Sequence, residues 1–289
     1  MSEPFDVTNL GTFSAPEPYE VRAEAIAAYA AATNDTSAAA AAGEVAPAVF
    51  AIVPVFGRQA GQSVVVEDRR AELQGRIVHG EQWMVFHRPI VAGDRLLVRG
   101  ATIGVHAKSS GVTVISKLET TDEAGNPVND QFVTVFYRGV ASGIDTGEAA
   151  PTLKSLRGDE QGTELPPVSY PVDPDQPARY ADASGDHNRI HLDDEFARSV
   201  GLPGIIVHGM CTLAFAARAA CEAFGEPSTA VLRQLGSRFT HPLLPGDVLT
   251  TNVARLEPGV AGTRAARFSC ANRAGEMVLG AGFAELAAG

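Results

Sequence analysis

The segment Tyr180–His191, YADASGDHNRIH, has a counterpart earlier in the same chain, and this internal match decides the fold prediction. Residues 29–40, YAAATNDTSAAA, likewise begin with tyrosine and carry aspartate at the seventh position. A second match pairs RPIVAGDRL at 88–96 with HPLLPGDVL at 241–249 at nearly the same offset. Two separate matches at nearly one offset indicate an internal repeat.

Each half of the repeat follows one plan, in which a polar segment is followed by an apolar helix and then by several strands. In the second half, residues 208–224, HGMCTLAFAARAACEAF, predict a helix that is buried on most sides. The corresponding helix of the first half is predicted within 47–61, where Pro54 interrupts it. Pro/Gly turns separate the runs that follow, as is typical of antiparallel strands.

This plan predicts an α+β fold with two antiparallel sheets, each curled around a central helix. The two sheets should pair edge to edge, because that pairing covers exposed strand edges. Residues 141–168 are rich in Gly, Pro and charge and predict a linker. We therefore expect a first unit over 1–140 and a second unit over 169–289.

Composition excludes some classes of partner. The net charge is −11 over 289 residues and Lys/Arg runs are absent, which opposes binding to nucleic acid or to an anionic membrane. The sequence shows neither a signal peptide nor an apolar stretch long enough to cross a membrane, so we expect a cytoplasmic location. The three cysteines lack CxxC spacing, which argues against a disulfide framework or a zinc knuckle.

Asp186 and His191 carry the chemistry of the second half. Five residues separate them, which is about 140° around a helix and opposite faces of a strand. An irregular loop that includes Gly185 and Asn188 would let both side chains converge, because these residues tolerate turn conformations. A carboxylate and an imidazole in one pocket can hold a water molecule and move its proton. Asn188 would help to orient that water or a substrate hydroxyl.

Gly209 lies in VHGMC, at the expected start of the apolar helix. Backbone N–H groups at a helix start lack an intrahelical acceptor and lie at the positive end of the helix dipole, so they suit a developing oxyanion. An acid/base pair beside such a donor indicates a reaction with an enolate-like intermediate.

The pattern Y-A-x-x-S-G-D-x-N-x-I-H, followed by GLPGIIVHGMCTLAF, resembles the MaoC-like dehydratases, also called the hydratase 2 family. HGEQW with RPIVAGD is similar to the degenerate first half of two-repeat members. The resemblance implies a double hot-dog fold. It also implies interconversion of trans-2-enoyl and (3R)-3-hydroxyacyl thioesters, usually of coenzyme A, with no metal or redox cofactor.

Carried over by position, the resemblance makes Asp186 and His191 the catalytic pair, Asn188 a supporting group and the Gly209 N–H the donor to the thioester carbonyl. Water would add at C3 while C2 is protonated. Arg189 stands where the family commonly has proline. We expect it to be a surface arginine, with contact to a coenzyme A phosphate as the alternative.

The first half lacks the same chemistry, since Ala40 stands opposite His191 and Ser37 opposite Asn188. Asp35 therefore has no imidazole partner, and we expect one active site per chain. In the family this silent half widens the acyl-binding tunnel, so a medium, long or bulky acyl group is expected.

Two other functions compete with this hypothesis. His187 and His191 have the H-x3-H spacing of a metal site, but a third ligand at a set spacing is missing. A noncatalytic or partner-dependent acyl-thioester-binding subunit is the other alternative. Gly185 and Asn188, together with the missing third ligand, disfavour the metal site, and the histidine that the second half keeps favours an enzyme over a noncatalytic subunit.

The identity of the thiol carrier, coenzyme A or acyl carrier protein, stays open in the sequence. Arg238 and His241, placed on the strand before a Pro-Gly turn, are candidates for a contact with a carrier phosphate. We expect His208 to be hydrogen-bonded near the helix start. It is also a candidate for substrate binding. A homodimer is expected, because remaining sheet edges need cover.

Overall fold

The structure is a computed structural model, and it describes residues 3–56, 64–152, 162–256 and 263–288. Within these ranges twelve strands form one continuous antiparallel sheet. The strands are β1 Glu17–Glu20, β2 Ile77–Phe86, β3 Arg95–Lys108, β4 Gly111–Asp122, β5 Pro127–Arg138, β6 Asp145–Gly147, β7 Thr163–Glu164, β8 Val168–Pro171, β9 Leu232–Phe239, β10 Val248–Arg255, β11 Thr263–Ala271 and β12 Met277–Ala287.

The sheet runs in the order β1-β3-β4-β5-β2-β9-β12-β11-β10-β7, with β6 beside β3 and β8 beside β10. The two halves of the repeat meet where β2 pairs with β9, with Trp83 opposite Gly236. This joint confirms the predicted edge-to-edge pairing of the two sheets, because each half contributes one of its edge strands to the other.

The helices are short except for the last one. They are α1 Ala23–Ala32, α2 Ala38–Ala41, α3 Ile52–Val55, α4 Arg70–Gln74, α5 Gln176–Ser184, α6 Asp194–Ser199 and α7 Gly209–Ala223. Additional 3-10 turns lie at Ala48–Ala51, Glu67–Arg69, Arg189–His191 and Thr229–Val231. Among the described residues, no helix has the length and hydropathy that a membrane span requires.

The central helix of the second half is α7, and eleven of its fifteen residues are buried, as its apolar composition predicts. In the first half, the predicted helix over 47–61 is shorter than expected. It consists of the turn Ala48–Ala51 and α3, which ends at Val55. Pro54 cannot donate a backbone hydrogen bond to the preceding turn, which weakens the helix there. Residues 57–61 lie outside the described ranges.

Two tyrosines from the repeated segments meet in the core. The Tyr29 and Tyr180 side chains are fully buried, their rings lie 5.5 Å apart, and their hydroxyl oxygens lie 3.3 Å apart. The contact packs α1 against α5. Both halves therefore present the start of their polar segments to each other.

The backbone after each tyrosine follows the same course. Asn34 and Gly185 both adopt left-handed conformations, with φ of 53° and 81°. Asp35 and Asp186 then each accept a hydrogen bond from the backbone N–H two residues further on, at 2.9 and 3.2 Å. The repeat seen in the sequence is thus a repeat of backbone conformation.

The span predicted as a linker, 141–168, contains β6, β7 and the first residue of β8. β6 pairs with β3 of the first half, and β7 pairs with β10 of the second. Residues 153–161 lie outside the described ranges. The unit boundaries at 140 and 169 stay predictions.

The joint between the halves depends on the glycine opposite Trp83. A Cβ on Gly236 would lie 2.0 Å from Trp83 Cε3, and the Trp83 ring is stacked on Phe283 at 5.6 Å. Gly236→Ala should therefore lower the free energy of unfolding by about 1–3 kcal/mol, measured by urea denaturation. In a Trp83→Ala background the same substitution should cost much less. Equal costs in both backgrounds would contradict this account of the joint.

Candidate active site

An irregular loop connects α5 to the 3-10 turn Arg189–His191, as predicted. Gly185 ends α5 in a left-handed conformation, φ 81°, and its N–H donates to Ala181 O at 2.9 Å. A glycine after the last helical residue adopts this conformation without a Cβ penalty. The Ser184 hydroxyl accepts from the Asp186 N–H at 3.2 Å and holds the chain as it turns away from the helix.

Asp186 and His191 converge in this loop. A carboxylate oxygen of Asp186, a ring nitrogen of His191 and a ring nitrogen of His208 all lie within 4.8 Å of one another. A water that makes two hydrogen bonds of ordinary length at a tetrahedral angle separates its partners by about 4.6 Å. Because the Asp186 carboxylate and the His191 ring lie no more than 4.8 Å apart, one water can bridge them.

The hydrogen bonds of His191 define its tautomer. Its side chain is buried, and Nδ1 lies 2.8 Å from the carbonyl oxygen of Ile206. Because a carbonyl oxygen can only accept, Nδ1 carries the proton and the neutral ring has its lone pair on Nε2. Burial lowers the pKa of His191 below its ordinary value of 6.5, so the ring is neutral near pH 7. It can then act as a base through Nε2.

His208 is the N-cap residue of α7 and is only 1% exposed. Its Nε2–H donates to the carbonyl oxygen of Asp186 at 2.9 Å, which confirms the predicted hydrogen bond near the helix start. Its ring is stacked on His191, with centroids 3.7 Å apart and planes 25° apart. His208 thus connects the helix start to the loop.

Gly209 is the first residue of α7, where a backbone N–H has no acceptor within the helix. A Cβ at this position would lie 3.0 Å from Phe239 Cε1, so glycine allows the helix start to approach the Phe239 ring closely. The N–H belongs to the residue that follows His208, whose ring lies close to Asp186 and His191.

The metal hypothesis does not fit this geometry. A zinc ion lies close to the plane of each imidazole that binds it, about 2.0–2.1 Å from the nitrogen. The rings of His191 and His208 are stacked, so their planes are nearly parallel. One ion therefore cannot lie in the planes of both rings at bonding distance. His187, the other member of the H-x3-H spacing, is exposed, and its Nε2 lies 3.8 Å from an Asp182 carboxylate oxygen.

Asn188 and Arg189 are exposed and shape the loop. The Asn188 side-chain oxygen accepts from the Ile190 N–H at 3.3 Å and caps the 3-10 turn. The Arg189 guanidinium pairs with Asp193 at 2.7 Å and lies over the Phe196 ring. These contacts agree with a surface arginine, and the two residues hold the turn that carries His191.

Arg238 lies on β9, as predicted, and its guanidinium contacts the Glu81 carboxylate at 2.5 Å. His241 does not lie on that strand, because β9 ends at Phe239. Pro242 follows and cannot donate a ladder hydrogen bond, which explains the early end. The His241 ring instead bonds through Nδ1 to the Met277 carbonyl oxygen at 2.8 Å.

The first, silent half has a similar helix start, but there the first backbone N–H already has a hydrogen-bond acceptor. Pro47 occupies the N-cap with φ −54° and ψ 141°, close to the −59° and 135° of His208. The next amide, that of Ala48, donates to the Thr229 hydroxyl of the second half at 2.9 Å. Sequence motifs gave no signal for Thr229, because the residue that it contacts lies 181 positions away in the chain.

Family models match both halves of the chain. Residues 158–266 match the MaoC like domain, and residues 9–131 match the FAS1-like, dehydratase domain region. The chain is also 31% identical over 220 residues to 3-hydroxyacyl-thioester dehydratase Y of Mycobacterium tuberculosis, and the match covers 74% of this chain and 73% of that protein. The chain belongs to the MaoC-like dehydratase family.

A second relative is the peroxisomal multifunctional enzyme type 2 of Drosophila melanogaster, which is 31% identical over 179 residues. That match covers 61% of this MaoC-like chain but 29% of the fly enzyme, so the chain spans less than a third of that enzyme's length.

Solved structures agree with the fold. A MaoC-like dehydratase from Phytophthora capsici superposes with a TM-score of 0.78 at 21% identity, covering 96% of this chain and 97% of that one. A Mycobacterium tuberculosis protein with a double hot-dog fold superposes with a TM-score of 0.57 at 14% identity, covering 99% and 98%. The predicted family, the double hot-dog fold and the hydro-lyase class are confirmed, while the roles of individual residues stay predictions.

Proposed function

We propose that this chain adds water reversibly to trans-2-enoyl thioesters, giving (3R)-3-hydroxyacyl thioesters. The observation that carries the proposal is the convergence of the Asp186 carboxylate and the His191 ring beside the start of α7. These groups supply a base, an orienting carboxylate and an oxyanion donor, which are the parts that this reaction needs. The proposal therefore includes no metal or redox cofactor.

In the hydration direction, Nε2 of neutral His191 takes a proton from the bridging water, and Asp186 orients that water by accepting its other hydrogen bond. The water oxygen bonds to C3, and the electron pair of the C2–C3 double bond moves toward the thioester carbonyl. The Gly209 N–H stabilises the resulting enolate oxygen. The proton that His191 Nε2 has taken from water is then delivered to C2, which restores the neutral ring, and dehydration reverses these steps.

The silent half is proposed to accommodate the acyl group. Its residue Phe56, at the end of α3, lies against the catalytic loop, since a Cβ on Gly185 would be 3.9 Å from Phe56 Cδ1. An apolar side chain beside the loop suits the hydrocarbon part of a substrate. We therefore propose a medium, long or bulky acyl group.

The carrier is proposed to be coenzyme A or acyl carrier protein. Arg238 would have to exchange its Glu81 partner for a carrier phosphate, whereas His241 is exposed beside the end of the same strand. A homodimer and a cytoplasmic location remain part of the proposal. The noncatalytic alternative is disfavoured, because the second half has the histidine that the first half lacks, and its helix-start amide has no acceptor among the described residues, whereas the Ala48 amide is bonded to Thr229.

The activity itself is tested with the purified chain and trans-2-enoyl-CoA substrates of increasing length. We expect the ultraviolet absorbance of the conjugated double bond to fall, with higher kcat/KM for medium or long acyl groups than for C4. Turnover confined to C4 would contradict the acyl-group proposal. Absence of turnover at every length would contradict the enzyme proposal.

The acid/base pair is tested by Asp186→Asn and His191→Ala. Each should lower kcat by about 10²–10⁴-fold, because each removes one partner of the reacting water. Asp35→Asn is the matched control, since Asp35 forms the same backbone turn in the silent half at 2.9 Å. It should leave kcat near the wild-type value. A near-wild-type rate for either active-site variant would remove the role assigned to that residue.

The oxyanion donor is tested by Gly209→Pro against Gly209→Ala. Both add a Cβ beside Phe239, but proline alone removes the N–H, and proline is well tolerated at the first position of a helix. His208 already has the extended conformation that a residue before proline requires. We expect kcat of the proline variant to be about 10²–10³-fold below that of the alanine variant. Equal rates would show that this amide does not contact the oxyanion.

A further inference from the structure

His208 contacts every part of the candidate site. Its ring is stacked on His191 at 3.7 Å, its Nε2–H donates to the backbone carbonyl of Asp186 at 2.9 Å, and the next residue in the chain is Gly209. The centroid of the His208 ring also lies 4.8 Å from that of the Tyr180 ring, with the two planes 46° apart. A displacement of His208 would therefore move the carboxylate loop and the base together.

Folding alone does not explain this side chain. The Nδ1 atom of His208 is buried without a hydrogen-bond partner among the described residues. Burial of a polar atom in that state opposes folding. The contacts that offset this unfavourable burial are the Nε2–H bond to the Asp186 carbonyl oxygen and the stacking on His191.

The silent half shows that the helix start does not need the histidine. Pro47 occupies the equivalent N-cap with nearly the same φ and ψ. The residues before these N-caps make equivalent backbone hydrogen bonds, from Ala46 to Ile90 O at 2.9 Å and from Val207 to Leu243 O at 2.8 Å. The fold therefore tolerates a residue without a side-chain donor here, and the half that lost its catalytic histidine also lacks this one.

We propose that His208 is a positioning residue for the hydration reaction, which holds Asp186 through the backbone carbonyl and holds the His191 ring by stacking. The proposal rests on the proposed function. His208 does not touch the substrate in this account, because Nε2 is used by Asp186 and one ring face is covered by His191. Its effect reaches the reaction through the placement of the two residues that contact the water.

The stacked arrangement also requires that at most one ring be charged. Burial, followed by the charge of the adjacent His191, lowers the pKa of His208 to about 3. The other titratable groups that face the two rings are Asp186, His187 and Tyr180. His208 thus stays neutral over the working range of pH, and His191 takes up a proton without repulsion from a second imidazolium.

Variants at His208 separate its hydrogen bond from its bulk. His208→Gln keeps an N–H donor at the same ε position, whereas His208→Phe keeps a flat ring without a donor. We expect Phe to lower kcat by about 10²-fold, the scale of an ångström-size misplacement, while Gln recovers about 10-fold or more of that loss. KM should change by less than about 3-fold, because uniform substrate binding is unaffected.

Thermal unfolding and circular dichroism show whether each variant is folded. His208→Pro replaces the phenylalanine variant if that one does not fold, because the silent half already carries proline at this position. A folded variant without the donor that keeps wild-type kcat would overturn the proposal. A Gln variant as slow as the Phe variant would overturn the assigned hydrogen bond.

The pH profile gives an independent test. Protonation of His191 removes the base, so kcat/KM for hydration should fall as the pH drops through a midpoint below 6.5. The acid limb should follow one proton, because His208 does not titrate in that range. A second proton in this limb that the ¹⁵N shifts of the histidine rings assign to His208 would contradict the proposal.

Nuclear magnetic resonance distinguishes failure of this inference from failure of the proposed function. Wild-type protein without turnover at any acyl length would refute the hydratase proposal. The ¹⁵N shifts of His208 would still report its state, and we expect a neutral ring protonated at Nε2 from pH 5 to pH 8. A proton on Nδ1, or a charged ring in that range, would overturn the placement of His208.

Discussion

Backbone pairing between β2 and β9 holds the two halves of this protein in one sheet, and the candidate site depends on it. Trp83 covers Gly236 at the joint and leaves no space for a larger residue. The pairing brings α1 against α5, so that Tyr29 and Tyr180 meet in the core. It also brings the silent half against the loop that carries the acid/base pair.

The two halves show how one backbone supports different chemistry. Both form the same left-handed turn followed by an aspartate that caps the next N–H. In the second half, the His191 ring converges with the side chain of that aspartate. In the first half, Ala40 replaces the histidine and Thr229 occupies the amide of Ala48. The local conformation is therefore the same with and without the imidazole, because backbone hydrogen bonds maintain it.

The electrostatics of the site follow from burial. The carbonyl oxygens of Ile206 and Asp186 each accept from one nitrogen of a stacked histidine, which defines both tautomers. Burial disfavours the charged form of each ring and is the largest cause of the lowered pKa in both cases. His191 is thereby available as a neutral base, while His208 stays neutral and contributes geometry instead of charge.

Local sequence patterns were sufficient for the repeat, the antiparallel strands, the buried helix α7 and the irregular loop at Gly185. Each of these depends on residue types at short spacing, such as a left-handed glycine or a continuous apolar run. Other features became known only from the folded chain. They include the stacking of His191 on His208, the hydrogen bond from the Ala48 N–H to Thr229 and the end of β9 before His241. They depend on which residues from distant parts of the chain share one volume, and no local propensity encodes that arrangement.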